Sequence, residues 1–445
     1  MCRRTHTALQ CGLNRLCNRH SDLPTRSAVW VNGDVSSQTS NPPDRVAIVV
    51  AGAGARGGYE AGALSVVVPH LRERGVHAPL YVGTSAGAIN AAIFAALAHL
   101  PPAEQAEQAL DVWRGISIDN VFRSPAFSSP GVVLRSAGQL VGFPGVALTS
   151  LLDTEPLRRK ANTAVDWEQL RRNIINNVTE LAVVATSGAD NRTVVFVDRN
   201  GDGTVPPPDP SRPITYVSAE IGPDHVLASS AIPIAFPPVH LTSPEVAAGY
   251  YLDGGVRLNA PLKPAIALGA DAIAVVATHP VNERSAAEMR SDEPPPDVYD
   301  VMVRLMDASL VDRMVEDLHT LAKINSLVDN NADRRGRSLL PYLAVCPSER
   351  RTLAQLASEV FDGQRGAGKS VGSRLRSVEL HAWGRIFGGD GPRRGDLFSY
   401  LYFDPEFIEA SIELGRRDAQ ALFDGLPADE IPWRIGNDAS PRAPR

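Results

Sequence analysis

Blocks of apolar and polar residues alternate along the chain from residue 45 onward. Short runs rich in Val, Ile and Leu predict buried strands, and longer segments with apolar residues three or four positions apart predict helices. The predicted strands are Val46–Val50, Leu80–Val82, Leu181–Ala185, Val194–Val197 and Ile273–Ala277. The predicted helices are Gly58–Arg74, Ala86–Leu100, Pro102–Arg114, Pro156–Ala164 and Pro261–Leu268. This alternation is typical of an α/β protein in which helices cover a mostly parallel central sheet.

The segments outside this alternation divide the chain. Residues 1–44 are polar and Arg-rich, without an apolar run of signal-peptide length, and we expect a disordered tail there. The main domain is expected over residues 45–345, with a mobile connection at 280–297, PVNERSAAEMRSDEPPPD. A helical extension with a polar loop, packed on the main domain, is expected over residues 346–445.

Composition and charge exclude several classes of function. The 445 residues are 44% hydrophobic, enough for a sizeable core, and the net charge of −6 provides no basic field for nucleic acid. The four cysteines form no C-x-x-C pair, so neither a metal site nor a disulfide framework is expected. The apolar run from Tyr81 to Leu100 is interrupted by glycines and polar residues, and it fits a buried helix better than a membrane span. We expect a cytoplasmic protein without cofactors that meets membranes only at their surface.

The first motif follows the first predicted strand. Gly52, Gly54 and Gly57 form a G-x-G-x-x-G pattern at the start of a predicted helix, where unpaired backbone N–H groups bind anions. Such groups hold the pyrophosphate of a dinucleotide in some proteins and the oxyanion of a reaction intermediate in hydrolases. The pattern alone does not decide between these uses.

The second motif is Gly83-Thr84-Ser85-Ala86-Gly87, between a predicted strand and a predicted helix. G-x-S-x-G in this context is a nucleophile elbow, a strained turn that lifts the serine hydroxyl clear of the sheet at a helix N-terminus. A dinucleotide site needs Asp or Glu at the end of this second strand to hold the ribose. The strand instead ends at Val82 and continues into the serine turn, which favours a hydrolase.

The third motif is Asp253-Gly254-Gly255, after an apolar pair of residues. A carboxylate held rigidly at a strand end accepts a proton from a serine hydroxyl when burial raises its basicity. An isolated Asp-Gly-Gly is also a common turn former. Together with the other two motifs, a catalytic carboxylate is favoured.

The three motifs, in this order, resemble those of the patatin-like phospholipases. That family has a G-G-G-x-R/K-G loop, then G-x-S-x-G, and later D-G-G or D-G-A. The corresponding residues here are Gly52–Gly57, Gly83–Gly87 and Asp253–Gly255, and the Pro-rich block ASSAIPIAFPPV at 228–239 is also similar to the family. The resemblance covers residues 45–345 well and 395–425 more loosely.

The resemblance implies a three-layer α/β/α fold and hydrolysis of lipid acyl esters by a Ser–Asp dyad through an acyl-enzyme. Ser85 would be the nucleophile and Asp253 the base that activates it. Gly254 and Gly255 would support the aspartate. The substrate would be a phospholipid or another acyl-ester lipid, and the partner a membrane or lipid-aggregate surface.

The resemblance also places the oxyanion hole in the Gly-rich loop. Its residues would be Gly52, Ala53, Gly54, Arg56 and Gly57, with the arginine anchoring the loop or adding positive field. One position departs from the family, because Ala53 stands where glycine is usual. Alanine donates the same N–H but resists positive φ, so we expect a strained or remodelled loop if this position requires it.

Two alternative functions stay open at the level of the sequence. His279 follows an apolar run and allows a Ser–His–Asp esterase with the order Ser85, Asp253, His279. The second alternative is a catalytically silent module that keeps the fold and binds lipid.

Two further motifs match only in part. GQRGAGKS at 363–370 fits the P-loop pattern, but it follows a helical segment instead of a strand, so we expect a flexible loop and no nucleotide. DRNGDGTVPPPD at 198–209 resembles a calcium loop without its helices or its final Glu, so we expect a hairpin turn.

A lipid hydrolase must open toward a lipid surface, and one segment has the composition for that role. Residues 121–148 are apolar, irregular and rich in Gly and Pro. We expect a membrane-facing lip there, with its candidate contacts at Phe122, Phe127, Val132, Val133, Leu134 and Phe143. Ordinary core packing of a long connection is the alternative.

Overall fold

The computed structural model describes residues 43–122, 150, 152–233, 235–280, 318, 320–323, 325, 339–349, 351–366 and 394–435. These residues fall within one unit that spans Ser36–Asn437. The predicted tail at 1–44 lies outside the described residues except for 43 and 44. The predicted lip at 121–148 lies outside them except for 121 and 122, and the predicted connection at 280–297 except for 280.

Nine strands of the described chain form one sheet. They are β1 (Val46–Val50), β2 (Leu80–Thr84), β3 (Glu180–Ser187), β4 (Thr193–Asp198), β5 (Ile214–Ser218), β6 (Val239–Leu241), β7 (Gly249–Asp253), β8 (Ala272–Val276) and β9 (Tyr342–Val345). Every residue of β1, β2, β8 and β9 is buried, as expected for parallel strands whose two faces are covered.

The sheet is mostly parallel, as predicted. Its order is β5-β4-β3-β2-β1-β8-β9, with the β6–β7 pair attached to β3. The pairs β3–β2, β2–β1, β1–β8, β8–β9 and β4–β5 are parallel, whereas β3–β4, β3–β7 and β6–β7 are antiparallel. The expected α/β class with a mostly parallel central sheet is therefore confirmed.

The helices of the described chain lie mainly between the strands and after the last of them. They are α1 (Gly57–Glu73), α2 (Ala86–Ala96), α3 (Pro102–Arg114), α4 (Ile118–Val121), α5 (Glu155–Ala164), α6 (Trp167–Ile175), α7 (Pro223–Ser229), α8 (Leu262–Ala267), α9 (Thr352–Gly366), α10 (Arg394–Leu401) and α11 (Pro405–Phe423). Several begin with a local signal. Asp404, for example, accepts the N–H groups of Glu406 and Phe407 and so caps α11, which has Pro405 at its first position.

The boundaries of the predicted elements agree closely with the structure, with one instructive difference. Strand β1 and helix α3 match their predictions residue for residue, but α2 ends at Ala96 and not at Leu100. The side-chain amide of Asn173 donates to the carbonyl oxygens of Ala95 and Ala96 at 2.9 and 2.8 Å. These bonds satisfy two carbonyl groups that lack a hydrogen-bond donor within the last turn of the helix. A partner this distant in sequence carries no local signal.

The P-loop-like and calcium-loop-like segments have protein partners or helical structure where they are described. Residues 363–366 belong to the end of α9, so the predicted flexible loop is wrong there, and 367–370 lie outside the described residues. The other segment joins β4 to β5, which pair in parallel, so the predicted hairpin turn is wrong. At its end, Asp209 accepts the backbone N–H groups of Ser211 and Arg212 and pairs with Lys263 at 2.6 Å.

Two clusters of buried apolar residues stabilise the fold. One lies on the face of the sheet that α8 covers and includes Val49, Val82 and Leu262. The other joins α1 and α3 to the C-terminal helices and includes Trp113 and Phe407. The second cluster ties the end of the chain to the helix that begins at the Gly-rich loop.

The described residues test two expectations about membranes, the lipid contact at Phe122 and the buried helix in place of a membrane span. Phe122, expected in the lip, is buried and packs its ring 6.2 Å from Phe236, so the prediction of a lipid contact is wrong for this residue. In the part of the chain that the structure describes, no helix combines the length and apolar character needed to cross a membrane.

Candidate active site

Ser85 occupies a strained turn between β2 and α2. Its backbone has φ 56° and ψ −128°, a positive φ that few non-glycine residues adopt. The flanking glycines make room for this turn. A Cβ on Gly83 would clash with the carbonyl oxygen of Gly87, and a Cβ on Gly87 would clash with those of Val50 and Ala51. These are the steric requirements of a nucleophile elbow.

Strand pairing brings Asp253 to the same place. Thr84, the last residue of β2, pairs with Val184 of β3. The next residue of β3, Ala185, pairs with Asp253 at the end of β7. Because β4 occupies the other edge of β3, β7 takes over the edge that β2 leaves at Ser85. Two residues that are 168 positions apart therefore meet at the carboxyl edge of the sheet.

The side chains of Ser85 and Asp253 form a short hydrogen bond. Ser85 Oγ donates to Asp253 Oδ2 at 2.5 Å, and both residues are buried. The other carboxylate oxygen accepts the N–H of Gly255 at 2.7 Å, so the Asp-Gly-Gly motif orients its own aspartate. Gly254 is required by space, because a Cβ there would clash with the carbonyl oxygen of Val184.

The environment of Asp253 tunes its acidity. Burial raises the pKa of Asp253 to about 6, and hydrogen bonds from Ser85 and from the Gly255 N–H oppose part of the rise. A carboxylate with this pKa is a stronger base than an exposed one and is still ionised near neutral pH. The arrangement can therefore accept the proton of the serine hydroxyl.

The Gly-rich loop lies directly against the serine. A Cβ built on Gly52 would lie 3.1 Å from Cβ of Ser85. The positive φ in this loop occurs at Gly54, with φ 55°, whereas Ala53 has φ −139°. The departure from the family pattern at Ala53 is therefore compatible with the loop, and the strain expected at that position is absent from this described turn.

The N–H groups of the loop fall into two sets. Those of Gly52, Arg56 and Gly57 donate within the protein, to Asn259, to Ala53 O and to Gly54 O. The N–H groups of Ala53, Gly54 and Ala55 have no acceptor among the residues that the structure describes. Three adjacent donors next to Ser85 are thus available for an anion.

Two supporting residues carried no signal that singled them out in the sequence. The hydroxyl of Ser229 accepts the N–H of Ser85 at 2.8 Å and donates to Val184 O at 2.6 Å, which fixes the elbow. Asn259 accepts the Gly52 N–H with its side-chain oxygen at 3.0 Å. Ser229 lies within the Pro-rich block at 228–239, so the block gave a hint, but Asn259 is recognisable only from the structure.

The side chain of Arg56 lies in a buried cluster formed with Ser399, Tyr400 and His279. Its Nε and Nη2 donate to Ser399 Oγ at 2.9 and 2.6 Å, and its guanidinium lies 4.1 Å from the centre of the Tyr400 ring. His279 Nε2 contacts Arg56 Nη1 at 3.2 Å. The guanidinium therefore anchors the Gly-rich loop to α10 and to His279.

His279 belongs to this cluster and not to the serine–aspartate pair. Its Nε2 lies 2.6 Å from the hydroxyl of Tyr400 as well as close to Arg56. The hydroxyl of Ser85 donates directly to Asp253, and neither of these residues bonds to His279. The geometry gives no support to a Ser–His–Asp arrangement.

The fold defines an α/β protein with a mostly parallel central sheet and a serine turn at its carboxyl edge. Residues 48–266 match the model of the family described as patatin-like phospholipase, so the chain contains a domain of that family. This domain makes the chain a lipid acyl hydrolase, and the predicted family is confirmed for it.

The chain shows low similarity to two solved structures. VipD from Legionella pneumophila is 14% identical, with 83% of this chain and 67% of VipD covered and a TM-score of 0.30. The ExoU–SpcU complex from the type III secretion system of Pseudomonas aeruginosa gives 14% identity, coverage of 80% and 68%, and a TM-score of 0.25. No curated protein matches the chain.

The backbone angles of the loop give a testable difference between neighbouring residues. Gly54→Ala should lower the free energy of unfolding by about 1–3 kcal/mol, because a Cβ at positive φ is strained and would clash with Tyr400 O. Ala53→Gly, the matched control, should change it by less than about 1 kcal/mol. Urea denaturation followed by circular dichroism measures both, and equal effects would contradict the assigned loop geometry.

Proposed function

We propose that the chain hydrolyses acyl esters of lipids, with Ser85 as the nucleophile and Asp253 as the general base. The observation that carries the proposal is the 2.5 Å hydrogen bond between the serine hydroxyl and a buried carboxylate at a nucleophile elbow. The raised pKa of Asp253 supports the role of a base. This reaction needs no metal or cofactor.

The reaction proceeds in two steps. Asp253 accepts the proton of Ser85 while Oγ attacks the ester carbonyl, and the tetrahedral intermediate collapses to an acyl-enzyme as Asp253 returns the proton to the departing alcohol or lysolipid. Water then attacks the acyl-enzyme, gives its proton to Asp253, and the fatty acid leaves as Ser85 recovers its proton. Each step breaks one acyl–oxygen bond and forms another.

The oxyanion of both intermediates is proposed to bind at the Gly-rich loop. The available N–H groups of Ala53, Gly54 and Ala55 lie at the start of α1, whose dipole favours negative charge. Gly52 and Gly57 contribute by closing the loop with their own hydrogen bonds. Arg56 contributes by anchoring the loop from its buried side.

The lipid surface is proposed to meet the carboxyl edge of the sheet, where the β6–β7 hairpin projects past the end of β3. Tyr251 pairs with Ser187, the last residue of β3, and the Gly188 N–H donates to Tyr250 O at 2.8 Å. At the tip, Val246 is 87% exposed and Tyr250 is 61% exposed. Because β7 ends at Asp253, this apolar tip stands on the same edge as the proposed site.

The first prediction concerns the dyad. Ser85→Ala and Asp253→Asn should each lower kcat for a soluble short-chain ester by about 10³-fold or more, because each removes a group that acts as a unit with the other. A fluorophosphonate probe should label the wild type at Ser85 and leave Ser85→Ala unlabelled. Circular dichroism serves as the control for folding. Near-normal turnover in either folded variant would refute the proposal.

The second prediction concerns pH. Because Asp253 must be ionised to act as a base, kcat/KM should fall about tenfold per pH unit below its pKa of about 6 and level off above it. A pH profile from about pH 4.5 to about pH 8 with the short-chain ester tests this. An inflection near 7 that disappears in His279→Gln would instead identify histidine as the base.

The same raised pKa has a consequence for stability. The folded chain holds the proton of Asp253 to a higher pH than the unfolded chain, whose carboxyl has a pKa near 3.8. Its contribution to stability is therefore fully present below about pH 4 and is lost as the pH rises through about 6. The neutral Asp253→Asn variant should gain stability relative to the wild type over this range. Urea denaturation at about pH 4 and about pH 7 measures the difference in the free energy of unfolding.

A further prediction concerns the hairpin tip. Val246→Ser with Tyr250→Ser should lower hydrolysis of phospholipid vesicles by about tenfold or more, since each 1.4 kcal/mol of lost interfacial contact is worth about that factor. Hydrolysis of a soluble ester should stay unchanged. The matched control is Ile175→Ser, because Ile175 is 51% exposed but ends α6 at the opposite edge of the sheet. Equal losses in the two variants would contradict the assignment.

A further inference from the structure

The Gly-rich loop carries an arginine whose side chain is completely buried. Arg56 is 1% exposed, although it lies beside the available N–H groups of the loop. Burial of a guanidinium is costly unless its N–H groups find partners. Besides His279, its partners include Ser399 and Tyr400, which belong to α10, far beyond residue 266, where the family match ends.

Ser399 is placed to fix the orientation of the guanidinium. Its hydroxyl oxygen accepts from Nε at 2.9 Å and from Nη2 at 2.6 Å, so two N–H groups on one edge of the planar fork converge on one atom. Two bonds to a single acceptor define the plane and the direction of the fork better than one. The Tyr400 ring covers the face of the same group at 4.1 Å.

Tyr400 also touches the loop with its main chain. A Cβ on Gly54 would clash with the carbonyl oxygen of Tyr400, so the two backbones are in close contact there. The hydroxyl of Tyr400 lies 2.6 Å from His279 Nε2, which ties its ring to the end of β8. The pair Ser399 and Tyr400 therefore contacts the loop at Gly54 and at Arg56, on either side of Ala55.

The segment that supplies these residues is itself firmly held. Helix α11 follows α10 and packs on α1 through glycines, where Gly58 and Gly62 of α1 lie against the carbonyl oxygens of Ile408 and Ile412. Gly415 of α11 lies in the same way against Tyr59 O. Small residues allow this close approach of two helices, so α11 packs tightly on α1.

We infer that Ser399 and Tyr400 are positioning residues of the oxyanion hole, acting through Arg56 and Gly54. The inference rests on the proposed function, because it assigns the loop amides to the oxyanion. The C-terminal extension thereby completes a site whose reacting groups all lie within the family domain. The loop amides of Ala53, Gly54 and Ala55 stay aimed at the carbonyl oxygen because α10 holds both sides of the turn.

A defect in this support acts on the transition state and not on substrate binding. The amides bind the oxyanion only after attack, so their displacement lowers kcat and leaves KM unchanged. Displacement of such groups by a fraction of an ångström to one ångström costs about 10- to 100-fold in rate. A general loss of stability would instead reduce the amount of active enzyme, which active-site titration detects.

The test compares Ser399→Ala with Ser399→Thr, which keeps the hydroxyl, and with a control substitution at another buried serine. Ser399→Thr keeps the hydroxyl and should retain kcat within about threefold, whereas Ser399→Ala should lower kcat about 10- to 100-fold at unchanged KM for a soluble ester. The rate of labelling by a fluorophosphonate should fall in parallel. Ser411→Ala is the matched control, because Ser411 is a fully buried serine of the same extension, and its hydroxyl has no partner among the described residues.

Each outcome decides a separate question. Wild-type kcat in Ser399→Ala, or an equal loss in Ser411→Ala, overturns the positioning role, whereas activity that survives Ser85→Ala overturns the proposed function itself. Should Ser399→Ala fail to fold, Arg56→Lys keeps the charge but not the planar fork. It should show the same loss of kcat at constant KM, and wild-type kcat there would overturn the inference.

Discussion

The close contact between Ser85 and Asp253 depends on the way in which two strands share one edge of β3. Strand β2 leaves that edge at Thr84, and β7 begins to occupy it at Asp253, in the opposite direction. Thr84 and Asp253 pair with consecutive residues of β3, so the serine turn and the aspartate lie side by side. Glycines flank both residues because the main chains meet there without room for a Cβ. A Cβ on Gly254 would clash with the carbonyl oxygen of Val184, so a side chain there would push the two strand ends apart.

Burial of this pair has two opposite effects. It raises the pKa of Asp253 to about 6, which makes the carboxylate a better base, but it also makes the ionised form costly to the fold. The Gly255 N–H and the Ser85 hydroxyl offset part of that cost by hydrogen bonds of 2.7 and 2.5 Å. The strained backbone of Ser85 is held by a comparable device, the bond from its N–H to Ser229. Local hydrogen bonds thus offset the cost of a buried carboxylate at Asp253 and of a strained backbone at Ser85.

The parts of the site that depend on short local sequence patterns could be predicted from the sequence. Strand β1 and the serine turn follow from a short apolar run and from glycines at fixed offsets, and both have the predicted places in the structure. The backbone angles of the loop were beyond prediction, because a G-A-G sequence does not reveal that Gly54, and not Ala53, has positive φ. Asn259 and Ser399 were missed for another reason. Their partners lie 207 and 343 positions away, and only the packed fold brings them together.

The position of the C-terminal part explains why the family-matched segment is not a complete structural unit. Strand β1, which leads into the Gly-rich loop, pairs on one side with β2 and on the other with β8, which lies after residue 266. Without β8 and β9, β1 would be an exposed edge strand with an apolar face and unpaired N–H groups. Helix α1 depends on later residues in the same way, since its glycines pack on α11. The loop between β1 and α1 is therefore fixed at both ends by elements outside the matched segment, so its geometry is a property of the longer chain.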